Sequence, residues 1–229
     1  MRLKSILKKI RKEKRNFLLE TEAREVLSEY KIPFAKWAFV KTPSQALEEA
    51  KKIGYPLVMK VVSKDIIHKT EVGGVIVNLK SSEEVKNAFE KIMKNVKKHK
   101  PKAKIEGMLL SKMVEEGKQV IVGGIKDPQF GHAIMFGAGG IYTELFGDIS
   151  FRLIPIKRKD AEEMIAETKI YEVLKGYRGE KYDIEALIKI LLNVSKFLEE
   201  NEEVKELDIN PIMVYQKGAI AVDARIIVE

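Results

Sequence analysis

In the first third of the chain, the apolar residues first recur at helical spacing and then form short runs typical of strands. Apolar residues recur at helical spacing from Ile6 to Leu27, and Lys31-Ile32-Pro33 ends this region. Thr42-Pro43-Ser44-Gln45 predicts the start of a helix with a capping box, and Gly54 predicts its end. Two strands and a long amphipathic helix are predicted next: Leu57–Val62, Val75–Leu79 and the segment that follows the capping box Ser81–Glu84.

After Pro101 the pattern changes to strands, turns and two helical segments. Met108–Val114 and Val120–Ile125 are predicted to form a hairpin, because Glu115-Glu116-Gly117 joins them as a short turn. This order of elements predicts an α+β fold with two subdomains, residues 1–104 (including the leading helices) and residues 105–229. The remaining predicted elements are the strands Ala133–Phe136 and Phe151–Ile156, the helices Asp160–Leu174 and Asp183–Glu200, and a final hairpin of Leu207–Tyr215 and Ala219–Arg225.

Composition narrows the classes of protein that fit this pattern. The chain has 229 residues, 45% of them hydrophobic, which suits one sizeable domain or two small ones. No apolar run approaches the roughly 20 residues that a membrane span needs. The absence of cysteine excludes disulfides, thiolate nucleophiles and thiolate metal sites. The basic N-terminus lacks the apolar stretch of a signal peptide, so we expect a cytoplasmic protein.

The net charge of +8 raises the question of nucleic-acid binding. Against it, the basic residues are interleaved with 34 acidic ones, and no zinc-finger, RNA-binding or basic-zipper signature is present. The densest basic runs lie on predicted helices, where solvated faces explain them. We therefore expect neither a nucleic-acid partner nor a membrane partner.

Two features of the first predicted subdomain have the residue types that handle phosphate. Lys60 lies inside an apolar strand, where it is either a cation aimed at a phosphate or a lysine facing solvent on a half-exposed sheet. The following loop contains His68, and it ends in Gly73 and Gly74, whose backbone N–H groups can approach an anion. A neutral imidazole can accept a phosphoryl group, although a lone histidine in a loop is often only exposed. His99 and His132 are interpreted as exposed loop histidines without a functional role.

The C-terminal hairpin carries oxygen ligands that suit Mg²⁺. Asp208 and Asn210 project from the same side of one predicted strand, and Asp223 on the returning strand can lie beside them. Such a set leaves coordination positions for phosphate oxygens. Alternatively, Asn210-Pro211 starts a turn and Asp223 pairs with Arg225. The glycine-rich stretch 137–140, followed by Glu144 and Asp148, is only weak support for a phosphate loop.

Several of these segments together resemble one family. They resemble the beta subunits of archaeal ADP-forming acetyl-CoA synthetases, and the resemblance extends over nearly the whole chain in consistent order. The chain is also similar, more distantly, to the nucleotide-binding part of succinyl-CoA synthetase. The segments that carry it are Tyr55–Lys60, His68–Gly74, Val122–Gly131, Met135–Gly140, Arg152–Pro155, Gly176–Gly179, Glu206–Pro211 and Val222–Arg225.

The resemblance implies an ATP-grasp fold that holds ATP or ADP between two α+β subdomains. It places the phosphate-binding lysine at Lys60, the Mg²⁺ ligands at Asn210 and Asp223, and the phosphoryl-carrying histidine at His68. It also puts Asp208 near a docking site for phosphohistidine. The remaining implied nucleotide contacts are Gly73 and Gly74, the hinge Met113–Val114 beside the adenine, and Gln119. The family pattern has Glu at the position of Gln119, so this chain lacks the carboxylate that would contact the ribose there.

The resemblance further implies a catalytic subunit that needs a partner. No segment resembles a CoA-binding domain, which in this family belongs to an alpha subunit with its own phosphorylated histidine. The implied reaction is acyl-CoA + ADP + phosphate ⇌ carboxylic acid + CoA + ATP, in a hetero-oligomer. Two alternatives stay open: another ATP-grasp ligase that forms an acyl phosphate, and a non-catalytic nucleotide-sensing subunit.

Overall fold

The protein is described by a computed structural model that covers residues 2–139 and 147–229. The chain divides into two compact units. The smaller unit is Ala35–Glu115, and the larger unit combines Met1–Phe34 with Glu116–Glu229. This division differs from the predicted one, since the leading helices belong with the C-terminal part of the chain rather than with the first predicted subdomain.

The smaller unit is an antiparallel sheet with two helices. Its described strands follow the order β1-β4-β2-β3, and the apolar faces of both helices contribute to its core. Thr42 and Ser81 cap the helices as predicted, because their hydroxyls accept the N–H groups of Gln45 and Glu84. The elements are β1 (Trp37–Val40), α3 (Pro43–Ile53), β2 (Leu57–Val62), β3 (Val75–Leu79), α4 (Ser82–His99) and β4 (Gly107–Lys112).

The larger unit is built on a second antiparallel sheet. Its described strands follow the order β10-β8-β5-β6-β7, with β9 also paired to β8. The strands are β5 (Lys118–Asp127), β6 (Gly131–Ala138), β7 (Ile149–Leu153), β8 (Val204–Val214), β9 (Ala219–Ala221) and β10 (Arg225–Val228). The helices are α1 (Arg2–Lys12), α2 (Glu20–Glu29), α5 (Arg158–Ala166), α6 (Ile170–Leu174) and α7 (Ile184–Glu199), with a 3₁₀ turn at Tyr177–Gly179.

Helices cover one face of the larger sheet. Residues such as Ile134, Phe136 and Leu207 lie in the core with the apolar side of α7. The backbone of β5 approaches this helix closely: a Cβ added at Gly124 would lie 2.5 Å from a methyl carbon of Leu198. Among the described helices, none has both the length and the apolar character needed to cross a membrane.

The predicted hairpin of Met108–Val114 with Val120–Ile125 is wrong. The strand β4 pairs on both sides within the smaller sheet, with β1 and β2, while β5 pairs with β6 and β8 in the larger sheet. Glu115-Glu116-Gly117 has the composition of a turn, but composition cannot specify which strands pair. The segment instead lies where the chain passes from the smaller unit to the larger one.

Two other predicted elements are interrupted. The helix predicted over Asp160–Leu174 is two helices, because the Asp148 carboxylate accepts the N–H groups of Lys169 and Ile170 and starts α6 anew. The predicted returning strand Ala219–Arg225 is divided into β9 and β10, so Asp223 lies in the connection between them rather than on a strand.

Candidate functional site

Strand β8 presents two of the predicted metal ligands on its open side. Leu207 and Ile209 are buried in the core, whereas Asp208 and Asn210 are exposed. The period-two pattern of the sequence therefore places the carboxylate and the amide on one face, away from the helices. This part of the prediction from the sequence is confirmed.

A β-bulge follows Asp208 and changes the phase of the strand. Val120 of β5 pairs with Ile212 and Val122 pairs with Ile209, so β8 has one more residue than β5 in this interval. The extra residue falls at Asn210-Pro211. Since proline has no N–H to donate to a ladder, this bulge is where the pairing of β8 is interrupted.

On the other side of β8, Asp223 lies opposite Asn210. The pairs Ile212–Ala221 and Asp208–Arg225 belong to one continuous register along β8. The N–H of Val222 donates to the Pro211 carbonyl at 2.9 Å, which keeps this register through the connection between β9 and β10. In that register Asp223 lies across from Asn210, so the two predicted Mg²⁺ ligands converge from neighbouring segments.

The electrostatics of Asp208 fit a site that is made for a cation. Partial burial of its carboxylate in a surface depression raises the pKa of Asp208, the negative charge of Asp223 raises it further, and Arg225 opposes the shift. Although the side chain is exposed, the depression removes enough water to disfavour its charged form. A bound cation would relieve the repulsion between the two carboxylates.

The donor chemistry of this cluster fits Mg²⁺ better than a softer metal. Carboxylate and amide oxygens are hard ligands, and Mg²⁺ is commonly held by one or two carboxylates together with water and substrate phosphates. The described residues contain no group of three or more histidine, cysteine, aspartate or glutamate side chains arranged around a metal position. Asp223 and Asn210, with Asp208 nearby, are thus candidate ligands of a sparse site, and the remaining ligands of such a site would come from a phosphate-bearing substrate.

A depression of about 370 Å³ adjoins this cluster on the open face of the larger sheet. Five residues that pair directly from one strand to the next form a row across this depression, and the row is charged at one end and apolar at the other. Its members, from β10 to β7, are Arg225, Asp208, Gly123, Met135 and Phe151. Since Gly123 has no side chain, the floor of the depression beside Asp208 is backbone.

Lys60 is buried in the middle of β2. Only 7% of its surface is exposed, and its strand neighbours Met59 and Val61 are fully buried in the core of the smaller unit. The alternative of a solvent-facing lysine is therefore wrong. A buried ammonium group is costly unless it is paired, so a specific contact explains this position better than solubility does.

His68 is in the opposite environment, at the surface of the loop between β2 and β3. Its side chain is 72% exposed, and Nδ1 lies 4.0 Å from the Glu71 carboxylate, itself exposed. His68 lies outside the described helices and strands, and its exposure leaves the imidazole accessible to a group that approaches from outside the unit. The exposed-loop interpretation is correct as to location, and it is compatible with a carrier role.

The two glycines of this loop have a structural explanation. Gly73 has a positive φ of 61°, and a Cβ there would lie 2.6 Å from the Asn95 amide nitrogen. The N–H groups of Gly73 and Gly74 donate to the carbonyls of Thr70 and Lys69. Direct contact of these two N–H groups with an anion would require the turn to open, so Gly73 and Gly74 as nucleotide ligands stay a prediction.

The other predicted nucleotide contacts lie near the passage between the units. The Met113 N–H donates to the Pro56 carbonyl at 3.0 Å, whereas among the described residues Val114 makes no backbone hydrogen bond. Gln119 is exposed on β5, and its carbonyl accepts the N–H of Gly139. The backbone groups of Val114 are therefore available to contact a nucleotide. The Met113 N–H and the Gln119 carbonyl, by contrast, already form hydrogen bonds within the protein.

The prediction that the remaining histidines are exposed loop residues is wrong for His132, which is buried on β6, while His99 is exposed at the end of α4. His132 is buried and its Nε2 lies 2.6 Å from the Val204 carbonyl, whereas exposed His99 contacts the Asn95 carbonyl through Nδ1. In the glycine-rich stretch, Gly137 and Ala138 end strand β6. Gly140 and Glu144 lie outside the described residues.

Sequence patterns missed one residue beside the cluster. Arg24, on helix α2, is buried and donates to the Val222 carbonyl, one residue before Asp223. Two residues separated by 198 positions give no local signal of contact. The only hint was a charged residue on the apolar face that includes Ala23 and Leu27.

These features define a class of protein. The chain belongs to the ATP-grasp domain family, which matches residues 9–228. The two antiparallel α+β units and the lysine on a strand of the smaller one agree with the fold that the sequence predicted.

Within this family the chain is similar to named ligases. It is 48% identical to the beta subunit of acetate–CoA ligase [ADP-forming] I of Pyrococcus furiosus, over 98% of this chain and 97% of the relative. It is 47% identical to 4-hydroxybutyrate–CoA ligase [ADP-forming] of Nitrosopumilus maritimus, over 94% of this chain but only 31% of that longer protein.

A solved structure is similar over the same extent. It is the dinucleotide forming acetyl-coenzyme A synthetase 1 of Ca. Korarchaeum cryptofilum, in complex with coenzyme A and Mg-AMPPCP, with a phosphohistidine segment pointing towards the nucleotide binding site. The TM-score is 0.87 at 41% identity, covering 98% of this chain and 99% of that one.

Proposed function

We propose that this chain is the nucleotide-binding subunit of an ADP-forming acyl-CoA synthetase. Its reaction is the transfer of a phosphoryl group between phosphohistidine and ADP, within the overall conversion acyl-CoA + ADP + phosphate ⇌ carboxylic acid + CoA + ATP. The observation that carries the proposal is the convergence of Asn210 and Asp223 beside Asp208 in an ATP-grasp chain that matches a named beta subunit from end to end.

The proposed step is a simple phosphoryl transfer. The P–N bond of phosphohistidine breaks, the imidazole nitrogen keeps the electron pair, and a P–O bond forms to the terminal phosphate oxygen of ADP. Little covalent chemistry is then left to the protein, which must position the reactants and balance their charge. Lys60 supplies a fixed positive charge for the nucleotide phosphates.

Asn210 and Asp223 would hold Mg²⁺, which when bound would neutralise charge on the phosphates. Asp208 would accept a hydrogen bond from the second ring nitrogen of an incoming histidine and so fix its tautomer. Burial of its carboxylate and then the negative charge of Asp223 raise the pKa of Asp208. The exposed His68 would carry the phosphoryl group between a partner's acyl-phosphate chemistry and this nucleotide site.

A partner chain is part of the proposal. Coenzyme A and acid chemistry would require further protein, and the Nitrosopumilus maritimus relative has the matched region as 31% of a longer chain. We propose that the corresponding function here is supplied by an alpha subunit that carries the CoA-binding domain. The acid that is used would be selected by that subunit.

The test separates nucleotide binding from turnover. The isolated chain should bind ADP or ATP in a calorimetric titration, but form no ATP from acetyl-CoA, ADP and phosphate. Adding the alpha subunit of an ADP-forming acetate–CoA ligase should restore ATP formation. Full turnover by the isolated chain, or no nucleotide binding at all, would contradict the proposal.

A further inference from the structure

A buried ion pair of helix α2 reaches the segment that carries Asp223. The Arg24 guanidinium is 2% exposed, and it donates to the Glu20 carboxylate at 2.9 Å and to the Val222 carbonyl at 2.6 Å. It also lies 5.0 Å above the ring of Phe34. All these groups belong to the larger unit, so a single side chain ties α2 to the connection between β9 and β10.

Stability alone is a poor explanation for this arrangement. Removing two charges from water costs several kcal/mol per ion, and buried ion pairs can often be replaced by apolar residues without loss of stability. A guanidinium differs from an apolar residue in that its planar donors fix the direction of each acceptor. The feature that needs Arg24 is therefore the exact placement of the Val222 carbonyl.

The segment held by Arg24 lacks the support of a regular strand. Residues 222–224 lie between β9 and β10, where the ladder with β8 is interrupted at Pro211. Other contacts complete the restraint: the Val222 N–H donates to the Pro211 carbonyl, and the Ala221 N–H donates to the Pro33 carbonyl at 2.8 Å. Val222 is thus fixed through both its N–H and its carbonyl.

We propose that Arg24 is a positioning residue for the Asn210–Asp223 pair. It acts by fixing the peptide group between Val222 and Asp223, which sets where the Asp223 carboxylate points relative to Asn210. This inference rests on the proposed Mg²⁺ and nucleotide function of the same cluster. It assigns the leading helix α2 a part in metal binding that goes beyond covering the core.

The chain offers a matched control in the same region. Arg15 and Glu22 form a second buried ion pair, with side-chain exposures of 4% and 10%, and Arg15 donates to the Phe17 carbonyl instead of to the Val222 segment. Replacing either pair by neutral residues removes the same number of buried charges. Only one of the two replacements removes the bond to Val222.

The experiment compares Glu20→Gln/Arg24→Met with Arg15→Met/Glu22→Gln. Mn²⁺ is the probe, titrated by electron paramagnetic resonance with ADP present, and urea midpoints report stability. We expect the urea midpoint to fall at least as far in the control, because Arg15 also pairs with Glu13 and Glu22 also pairs with Lys9. Mn²⁺ affinity should fall about tenfold in the Arg24 variant, the loss expected for one charge-assisted hydrogen bond, and less than about twofold in the control.

Amide hydrogen exchange supplies a readout that needs no metal. The Val222 N–H donates to Pro211 rather than to Arg24, so its exchange reports local opening of the segment. Without the Arg24 bond that holds the segment closed, this amide should exchange about tenfold faster in the Arg24 variant and at the wild-type rate in the control. Equal Mn²⁺ losses in both variants, or unchanged exchange at Val222, would overturn the inference. Failure of wild-type protein to bind Mn²⁺ with ADP would instead count against the proposed function, while the exchange result still decides whether Arg24 positions the segment.

A conservative variant keeps the proposal testable if the double variant of Glu20 and Arg24 does not fold. Arg24→Lys keeps one positive charge and can reach either Glu20 or Val222, but cannot reproduce the forked geometry. It should fold and show an intermediate Mn²⁺ affinity with intermediate exchange at Val222. Wild-type values for both measurements would show that charge alone is sufficient and would overturn the positioning role.

Discussion

The two units place their candidate phosphate-handling groups in different ways. In the smaller unit, Lys60 lies on β2, which pairs regularly with β4 on one side and, from Met59 onward, with β3 on the other. In the larger unit, Asn210 lies at a bulge and Asp223 in a gap between strands. One long side chain can be aimed from a regular strand, but two short oxygen ligands must converge from two segments. Here one comes from a bulge of β8 and the other from the connection between β9 and β10.

His68 differs from Lys60 and from the oxygen ligands, because it lies in an exposed loop. Lys60 is buried in a strand, whereas His68 is 72% exposed in a loop. Groups that stabilise charge are useful when they are fixed, and a group that carries a phosphoryl between sites is useful when it can move. Fixed and mobile groups should therefore respond differently to substitution.

The largest expected effect is on His68. Incubation of the chain with labelled ATP and Mg²⁺ should produce an acid-labile, base-stable phosphoprotein, since a neutral imidazole is nucleophilic near pH 7. His68→Ala should abolish the label, while His99→Ala, the control in the same unit, should keep it. Label on the His68→Ala protein would mean that another residue accepts the phosphoryl group.

Removing the fixed cation should have the next largest effect. Lys60→Met should weaken ADP and ATP binding by roughly ten- to hundredfold, because a charge-assisted contact contributes about 1.5–3 kcal/mol. Lys64→Met, in the loop after the same strand, should bind nucleotide normally. Calorimetric titration of both variants measures this, and wild-type affinity in Lys60→Met would contradict a phosphate-binding role.

Removal of an oxygen ligand should have a smaller effect, which appears as a higher Mg²⁺ requirement for nucleotide binding. Asn210→Ala and Asp223→Ala should each raise the Mg²⁺ concentration needed for nucleotide binding by about tenfold, the loss of one ligand interaction. Glu206→Ala is the control, since Glu206 is exposed on the same strand but pairs with Ile125 and Ile227. An equal effect at Glu206 would indicate general electrostatics rather than coordination.

The smallest expected effect is on stability. Because the pKa of Asp208 is raised above its ordinary value of 3.8, the folded state holds this proton more tightly than the unfolded state does. The free energy of unfolding contributed by Asp208 should therefore fall as pH rises above 3.8 through the raised pKa. Asp208→Asn lacks this titration, so its stability relative to wild type should increase over that range.

The size and origin of this effect can be checked by urea unfolding at several pH values. The change should be under about 1 kcal/mol, because solvent screens an exposed carboxylate. In an Asp223→Asn background the change should be smaller, since the negative charge of Asp223 contributes to the raised pKa. A relative stability of Asp208→Asn that falls with rising pH would show that the sign is wrong.

Local patterns predicted much of the fold. Capping boxes set the starts of α3 and α4, and alternation on β8 predicted that Asp208 and Asn210 share a face. These features depend on residues that are close in sequence. Family resemblance supplied the ATP-grasp fold, which the family match confirms.

Long-range pairing was beyond the reach of these patterns. The turn-like segment 115–117 predicted a hairpin, yet β4 and β5 lie in different sheets. The gap at residues 222–224 between β9 and β10 has no local signal in the sequence, and the contact of Arg24 with Val222 joins distant parts of the chain. Such pairings depend on which elements fold together, and a single sequence does not record them.

In the proposed function, this chain exchanges a phosphoryl group between histidine and a nucleotide. The most direct test starts from chain labelled with ³²P by ATP, freed of nucleotide, and then mixed with unlabelled ADP and Mg²⁺. The account predicts that label leaves the protein and appears in ATP, and that omission of ADP keeps it on the protein. Label that stays on the protein in the presence of ADP, or appears only as inorganic phosphate, would contradict the account.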